Sequence, residues 1–249
     1  MTGVIVQARM GSTRLPGKVM MNAVGKPLLG HLMERLSYCA TLDMQAVATT
    51  VNPADDLIAD YCAANRIPVF RGSEADVLDR YYNAAKFFGL TYVVRVTSDS
   101  PLNDPALVDE GVRLFRHNPG KYDLVTNRHP ITHADGLDFD VMSIGSLQYV
   151  WLHATEPHQR EHTVPYFWES GMRVFNLEDP QKLVRQHRWC LDYPEDYQKL
   201  KAIYENLYRP GDYFSSEEII QFLAEHPEIE RLNERYKETS WIATSSAHL

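Results

Sequence analysis

The chain has 249 residues, enough for one large α/β domain or two small ones, and its apolar and charged fractions exclude disordered and fibrous classes. A net charge of −8 disfavours general binding to nucleic acid, so any polyanionic ligand has to be held by a local group of cations. Cys39, Cys62 and Cys190 are scattered, as suits a reducing cytoplasm; no apolar run approaches the ~20 residues of a membrane span, and the opening strand pattern gives no expectation of a signal peptide.

The first half alternates apolar runs with amphipathic segments. Residues 4–8, 45–50, 68–70 and 92–96 read as buried strands. Residues 27–39, 55–65 and 74–88 read as helices, the first carrying Leu28, Leu29, Leu32, Met33 and Leu36 at helical spacing. This alternation predicts right-handed βαβ units and a mostly parallel sheet. Beyond about residue 120 the pattern loosens. Strands are expected at 122–126, 139–142, 172–176 and 189–191, helices at 143–152, 160–169, 194–208 and 215–225, and a loose tail at 239–249. Residues 1–249 read as one domain, with an insertion or subdomain around 128–180.

Directly after the first strand comes A-R-M-G-S-T-R-L-P-G-K, Ala8 to Lys18. Gly11 and Gly17 let the backbone turn and bring N–H groups to an anion, while Arg9, Arg14 and Lys18 set three cations around one loop. It is not a P-loop: five residues separate the glycines instead of four, and Val19 stands where a magnesium-holding hydroxyl would follow the lysine. The dinucleotide fingerprint G-x-G-x-x-G is also absent. In an open parallel sheet ligands bind beyond the carboxyl ends of strands, where this loop begins, and its residues suit a triphosphate.

Two later strand ends carry carboxylates. In R-V-T-S-D-S-P-L-N-D-P, residues 95–105, Asp99 sits at a strand's carboxyl edge, where a carboxylate can hold Mg²⁺ against phosphate. Asp104, ahead of Pro105, reads as a helix N-cap. Asp192 repeats the arrangement before a helix opened by Pro194, whose Glu195 and Asp196 suit the helix dipole. Ser73 reads as a helix cap, and Arg80, from the residues alone, as a surface partner of Asp76 at i−4. His158-Gln-Arg-Glu161-His162 matches the inverted zinc-protease pattern H-x-x-E-H, although Pro157 confines His158 to a helix start and no third ligand follows.

The 8–18 run closely resembles the signature of the CMP-KDO synthetase and acylneuraminate cytidylyltransferase superfamily, in particular its spore-coat-polysaccharide cytidylyltransferase-like branch. The resemblance covers most of the chain and is strongest at 4–20, 70–105 and 186–200. It implies a Rossmann-like nucleotide-diphosphosugar transferase fold, a three-layer α/β sandwich. It further implies Mg²⁺-dependent transfer of CMP from CTP to a sugar acid, with release of pyrophosphate, in surface polysaccharide synthesis. Arg9, Lys18, Asp99 and Asp192 are then catalytic, with Asp99 and Asp192 as metal ligands. Ala8, Arg9, Gly11, Ser12, Arg14, Lys18, Ser73, Arg80 and Ser98 are expected to bind nucleotide. Asp138, Asp140, Arg160, Glu161 and His162 are expected to line the acceptor pocket. The expected partners are CTP and a small anionic acceptor, in a cytoplasmic homodimer with no nucleic acid and no membrane. Three alternatives stand beside this: a same-fold nucleotidyltransferase using another nucleotide or a phosphonate or sugar-phosphate acceptor, a non-catalytic nucleotide-binding protein, and a zinc hydrolase.

Overall fold

A computed structural model describes residues 1–179 and 187–239, so 240–249 of the expected tail lie outside the described residues. The strands in chain order are β1 (Thr2–Gln7), β2 (Asn22–Ala23), β3 (Lys26–Pro27), β4 (Met44–Thr50), β5 (Val69–Gly72), β6 (Tyr92–Thr97), β7 (Leu124–Thr126), β8 (Asp140–Ser143) and β9 (Val174–Asn176). The helices are α1 (Leu28–Leu36), α2 (Asp56–Ala64), α3 (Val77–Phe87), α4 (Pro105–His117), α5 (Ile144–His153), α6 (Pro157–His162), α7 (Pro165–Glu169), α8 (Pro194–Leu207), α9 (Ser216–Glu225) and α10 (Pro227–Glu230).

Seven strands form one sheet in the order β5-β4-β1-β6-β8-β7-β9. Only β8 runs against its neighbours, and the other pairings are parallel. Strand alternation sorts the core into two layers. Val4, Val6, Val94 and Val96 face α1, α2 and α4, while Ile5, Val93, Leu124 and Met142 face α3, α5 and α7. Each fully buried side chain of this size contributes about 1.5–3 kcal/mol, and burial on both faces explains why these strands are continuously apolar. The result is the expected three-layer α/β sandwich.

This topology concentrates polar loops on one edge. The parallel strands all end there, and antiparallel β8 brings its leading residues, 135–139, to the same edge. A third apolar cluster, with Leu200, Ile203 and Tyr204 of α8 and Ile219 and Leu223 of α9, packs on Leu102, Trp189 and Leu191 and fastens the 188–192 segment to that edge.

Several local expectations change. Helix α3 starts at Val77 because Asp76, not Ser73, is its cap: the Asp76 carboxylate accepts from the Asp79 N–H at 2.8 Å. The expected helix at 160–169 is two helices, α6 and α7, broken at Thr163 with φ 73° and restarted at Pro165, which has no N–H to continue a ladder. Residues 189–191 form no strand of the sheet. Arg188 makes an isolated bridge to Asp135, and Leu191 N–H donates to the Asp99 carbonyl at 2.8 Å.

Candidate active site

The loop after β1 is fastened at its two ends and open between them. The Met10 N–H donates to Asp55 at 2.6 Å, and Asp55 is itself buried and bonded to Thr50. Gly17, at φ +70°, donates back to the Met10 carbonyl at 3.0 Å, closing the loop, and buried Val19 anchors its exit. Arg9 and Arg14 project from the exposed part.

Lys18 turns the other way, into the floor. Its ammonium donates to the Leu191 carbonyl at 2.6 Å and to Asp192 at 2.9 Å, and lies 3.6 Å from Asp99. Two carboxylates distant in sequence therefore converge on one cation. Burial opposes the charge on Lys18, but Asp99 and Asp192 outweigh it and raise its pKa. Burial likewise works against the Asp192 carboxylate, yet Lys18 and Arg14, the latter at 2.8 Å, hold it down at about 2. Both groups are thus charged near neutrality.

These residues line an open cleft of about 580 Å³. Ala8, Gly11, Ser12 and Ser98 form part of its wall, with Arg80 beside them. Arg80 is 2 % exposed, gives one nitrogen to the Ser73 carbonyl, and has no ion-pair partner among the described residues. Burial lowers its pKa, the nearby Arg9 adding to that effect. A guanidinium buried at a cleft wall with no carboxylate in direct contact, only Asp55 and Glu74 nearby, is a ready partner for an anion. The lining holds seven Arg and Lys side chains against five Asp and Glu, in a chain whose overall charge is negative.

A cytidylyltransferase family model matches residues 3–220. This chain belongs to the cytidylyltransferase family. It is 32 % identical over 232 residues to the spore coat polysaccharide biosynthesis protein SpsF of Bacillus subtilis, covering 90 % of this chain and 94 % of that one. Its fold superposes on the structure of a cytidylyltransferase from Leptospira borgpetersenii with a TM-score of 0.87 and 33 % identity, covering 92 % and 96 % of the two chains. A CMP-KDO synthetase solved in complex with CTP shares the fold, with a TM-score of 0.64 at 18 % identity, over 82 % of this chain and 98 % of that one. The chain is therefore a nucleotidyltransferase by family, and no helix among the described residues is long and apolar enough to cross a membrane.

On the far side of the cytidylyltransferase cleft, Asp138, Glu161 and His162 line the wall. Burial pushes the Asp138 carboxyl up to about 7; Arg128 works against this, and Asp135, Asp140 and Asp99 reinforce it. Burial also lowers the pKa of His162, so its ring favours the neutral form.

Three expected ligands face elsewhere. Ser73 lies outside the cleft lining: its hydroxyl accepts the Asp76 N–H at 3.1 Å and its carbonyl holds Arg80. Asp140 is wholly buried, bonded to Arg95 at 2.8 Å and to the Thr126 hydroxyl at 2.7 Å. Arg160 reaches away from the cleft to Asp76, at 2.5 and 2.9 Å, and to the Trp151 carbonyl at 2.7 Å. This contact also removes Asp76 as the surface partner considered for Arg80. The zinc pattern dissolves similarly, because His158 bonds to Glu169 at 2.9 Å and no group of three metal-binding side chains occurs among the described residues.

Sequence reasoning missed Arg95, Arg128, Asp135, Arg188 and Tyr193, all of which line the cleft. Arg95 carried a signal: a lone charge inside an apolar strand run needs a buried partner, here Asp140. Asp196, read only as suiting the helix dipole, is fully buried; it accepts from the Asp192 and Tyr193 N–H groups at 2.9 Å each and from Arg188. Cys190 is no nucleophile: burial drives its thiol pKa well above the ordinary value, and the thiol donates to Asp135 at 3.2 Å.

Proposed function

We propose that this cytidylyltransferase moves CMP from CTP to a sugar acid or related small anionic acceptor, releasing pyrophosphate, in surface polysaccharide synthesis. The observation that carries the reading is Lys18 between Asp99 and Asp192 at the floor of an arginine-lined cleft. Arg9, Arg14 and Lys18 neutralise the triphosphate and then the leaving pyrophosphate, while Ala8, Gly11, Ser12 and Ser98 shape the nucleotide wall and Arg80 contacts the nucleotide. Such a transfer needs positioning and charge neutralisation more than covalent chemistry.

Asp99 and Asp192 fit a magnesium ion. They are hard oxygen donors converging on one ammonium, Asp192 is held ionised, and a third protein ligand is unnecessary where phosphate oxygens complete the shell. Bound there, Mg²⁺ would neutralise phosphate charge and polarise the α-phosphate. Asp138, Glu161 and His162, with Arg95 and Arg128, form the acceptor side. In this reading residues 1–249 work as one nucleotidyltransferase domain, the region around 128–180 supplies the acceptor side, and the enzyme acts as a cytoplasmic homodimer.

The test is pyrophosphate release from CTP and Mg²⁺ across a panel of sugar acids, sugar phosphates and phosphonates. Release with a sugar acid is expected. Release with only a sugar phosphate or phosphonate overturns the acceptor class, and faster turnover of another nucleotide overturns the CTP assignment.

A further inference from the structure

The chain beyond α10 forms 3₁₀ turns over Arg231–Thr239, outside the 3–220 region that matches the family model. We infer that this segment is a strap positioning the triphosphate half of the cleft, with Asn233 and Tyr236 as its positioning residues. The inference rests on the nucleotide reading proposed above.

Two contacts carry it. Asn233 is fully buried, and its amide donates to the Arg188 carbonyl at 3.0 Å and to Asp196 at 2.7 Å. Through its other oxygen, Asp196 holds the Asp192 and Tyr193 N–H groups, so one side chain separates the strap from the backbone of Asp192. Tyr236 lies flat on Tyr193, with ring centroids 3.7 Å apart and planes 2° from parallel. Tyr193 lines the cleft, and the Arg14 guanidinium stands 5.2 Å from its ring centroid. Stacking at one end and a satisfied buried amide at the other fix where Asp192 and Arg14 point.

Charge ties the strap to the end of α10 and that end to α8. Buried Lys199 donates to Glu230 at 2.7 Å, and Lys237 donates to the same carboxylate at 3.0 Å. The strap adds little to the apolar core, since Leu232 is exposed; its side chains reach Arg188, Tyr193 and Asp196, with further polar contacts from Arg235 and Tyr236 to Glu195 and from Lys199 to Asn233. Loosening it should therefore weaken a ligand that needs Arg14 and Asp192 and spare one that does not.

The experiment is calorimetric titration of full-length Tyr236→Leu and Tyr236→Phe with CTP in Mg²⁺ and, separately, with CMP in the absence of any divalent ion, so that its single phosphate calls on neither Arg14 nor an Asp192-held metal. Losing one aromatic stack should raise the Kd of Tyr236→Leu for CTP by about three- to ten-fold while leaving CMP binding unchanged. Tyr236→Phe keeps the ring and should restore wild-type CTP affinity. Wild-type CTP binding in Tyr236→Leu, or an equal loss for CMP, overturns the strap. A wild-type chain that binds no CTP overturns the nucleotide reading instead.

Discussion

Replacing Lys18 by Met removes the cation at the centre of the cleft and keeps its apolar stem. The side chain is 12 % exposed, and its ammonium gives two short hydrogen bonds, at 2.6 and 2.9 Å. Asp192 would keep Arg14 at 2.8 Å and Arg188 at 3.4 Å, so the folded state loses one of three cationic partners. A stability loss of about 1–2 kcal/mol is expected, since hydrogen bonds to charged groups are worth roughly 1.5–3 kcal/mol and part of this one is replaced. Catalysis should suffer more. Removing one preorganised donor to developing charge typically costs about 10²–10³ in kcat. The buried position of Lys18 makes the stability cost measurable but still survivable. Urea denaturation and steady-state pyrophosphate release separate the two effects. Turnover of Lys18→Met within a factor of about three of wild type, under 1 kcal/mol of barrier, would refute the reasoning.

Arg160→Leu should lose about 1–3 kcal/mol of stability by breaking the Asp76 pair, with no change in acceptor KM; a raised KM in a well-folded variant would return Arg160 to the acceptor site. Gly136→Ala should cost at least about 2 kcal/mol in chemical denaturation, because Gly136 holds φ +106° and a Cβ would sit 2.6 Å from the Trp189 backbone. Asp138→Asn should stabilise the fold in a pH-dependent way. Asp138 is a carboxyl raised from 3.8 to about 7, so it opposes folding progressively as pH rises above 3.8 and the penalty levels off above 7. The variant should therefore gain on wild type at pH 8 and not at pH 3.5, and a pH-independent difference would contradict the assignment.

The sheet was legible because both its faces are buried. Strands such as 4–8 and 92–96 must be continuously apolar, and helices such as 27–39 show one apolar stripe. The opening loop was legible because glycines and cations crowd directly after such a strand. Partners across long sequence distances were not. Nothing near Arg160 indicates that Asp76, 84 residues away, claims it, and nothing near Asp140 excludes it from the cleft except the charge of Arg95 on a neighbouring strand. Asp196 shows the same limit. Its position suits a helix start, but only the packing of α8 and the 231–239 segment reveals that it holds the Asp192 backbone.

The central claim is that the cleft binds CTP with a divalent ion. Thermal unfolding in Mg²⁺ with CTP, UTP, GTP or ATP in turn examines it without knowledge of the acceptor. Ligand at ~100 times Kd adds about 2.7 kcal/mol to stability, a readily visible shift. Stabilisation by CTP above the other three is expected. No stabilisation by any of the four, or stabilisation only by a nucleotide other than CTP, would contradict the claim.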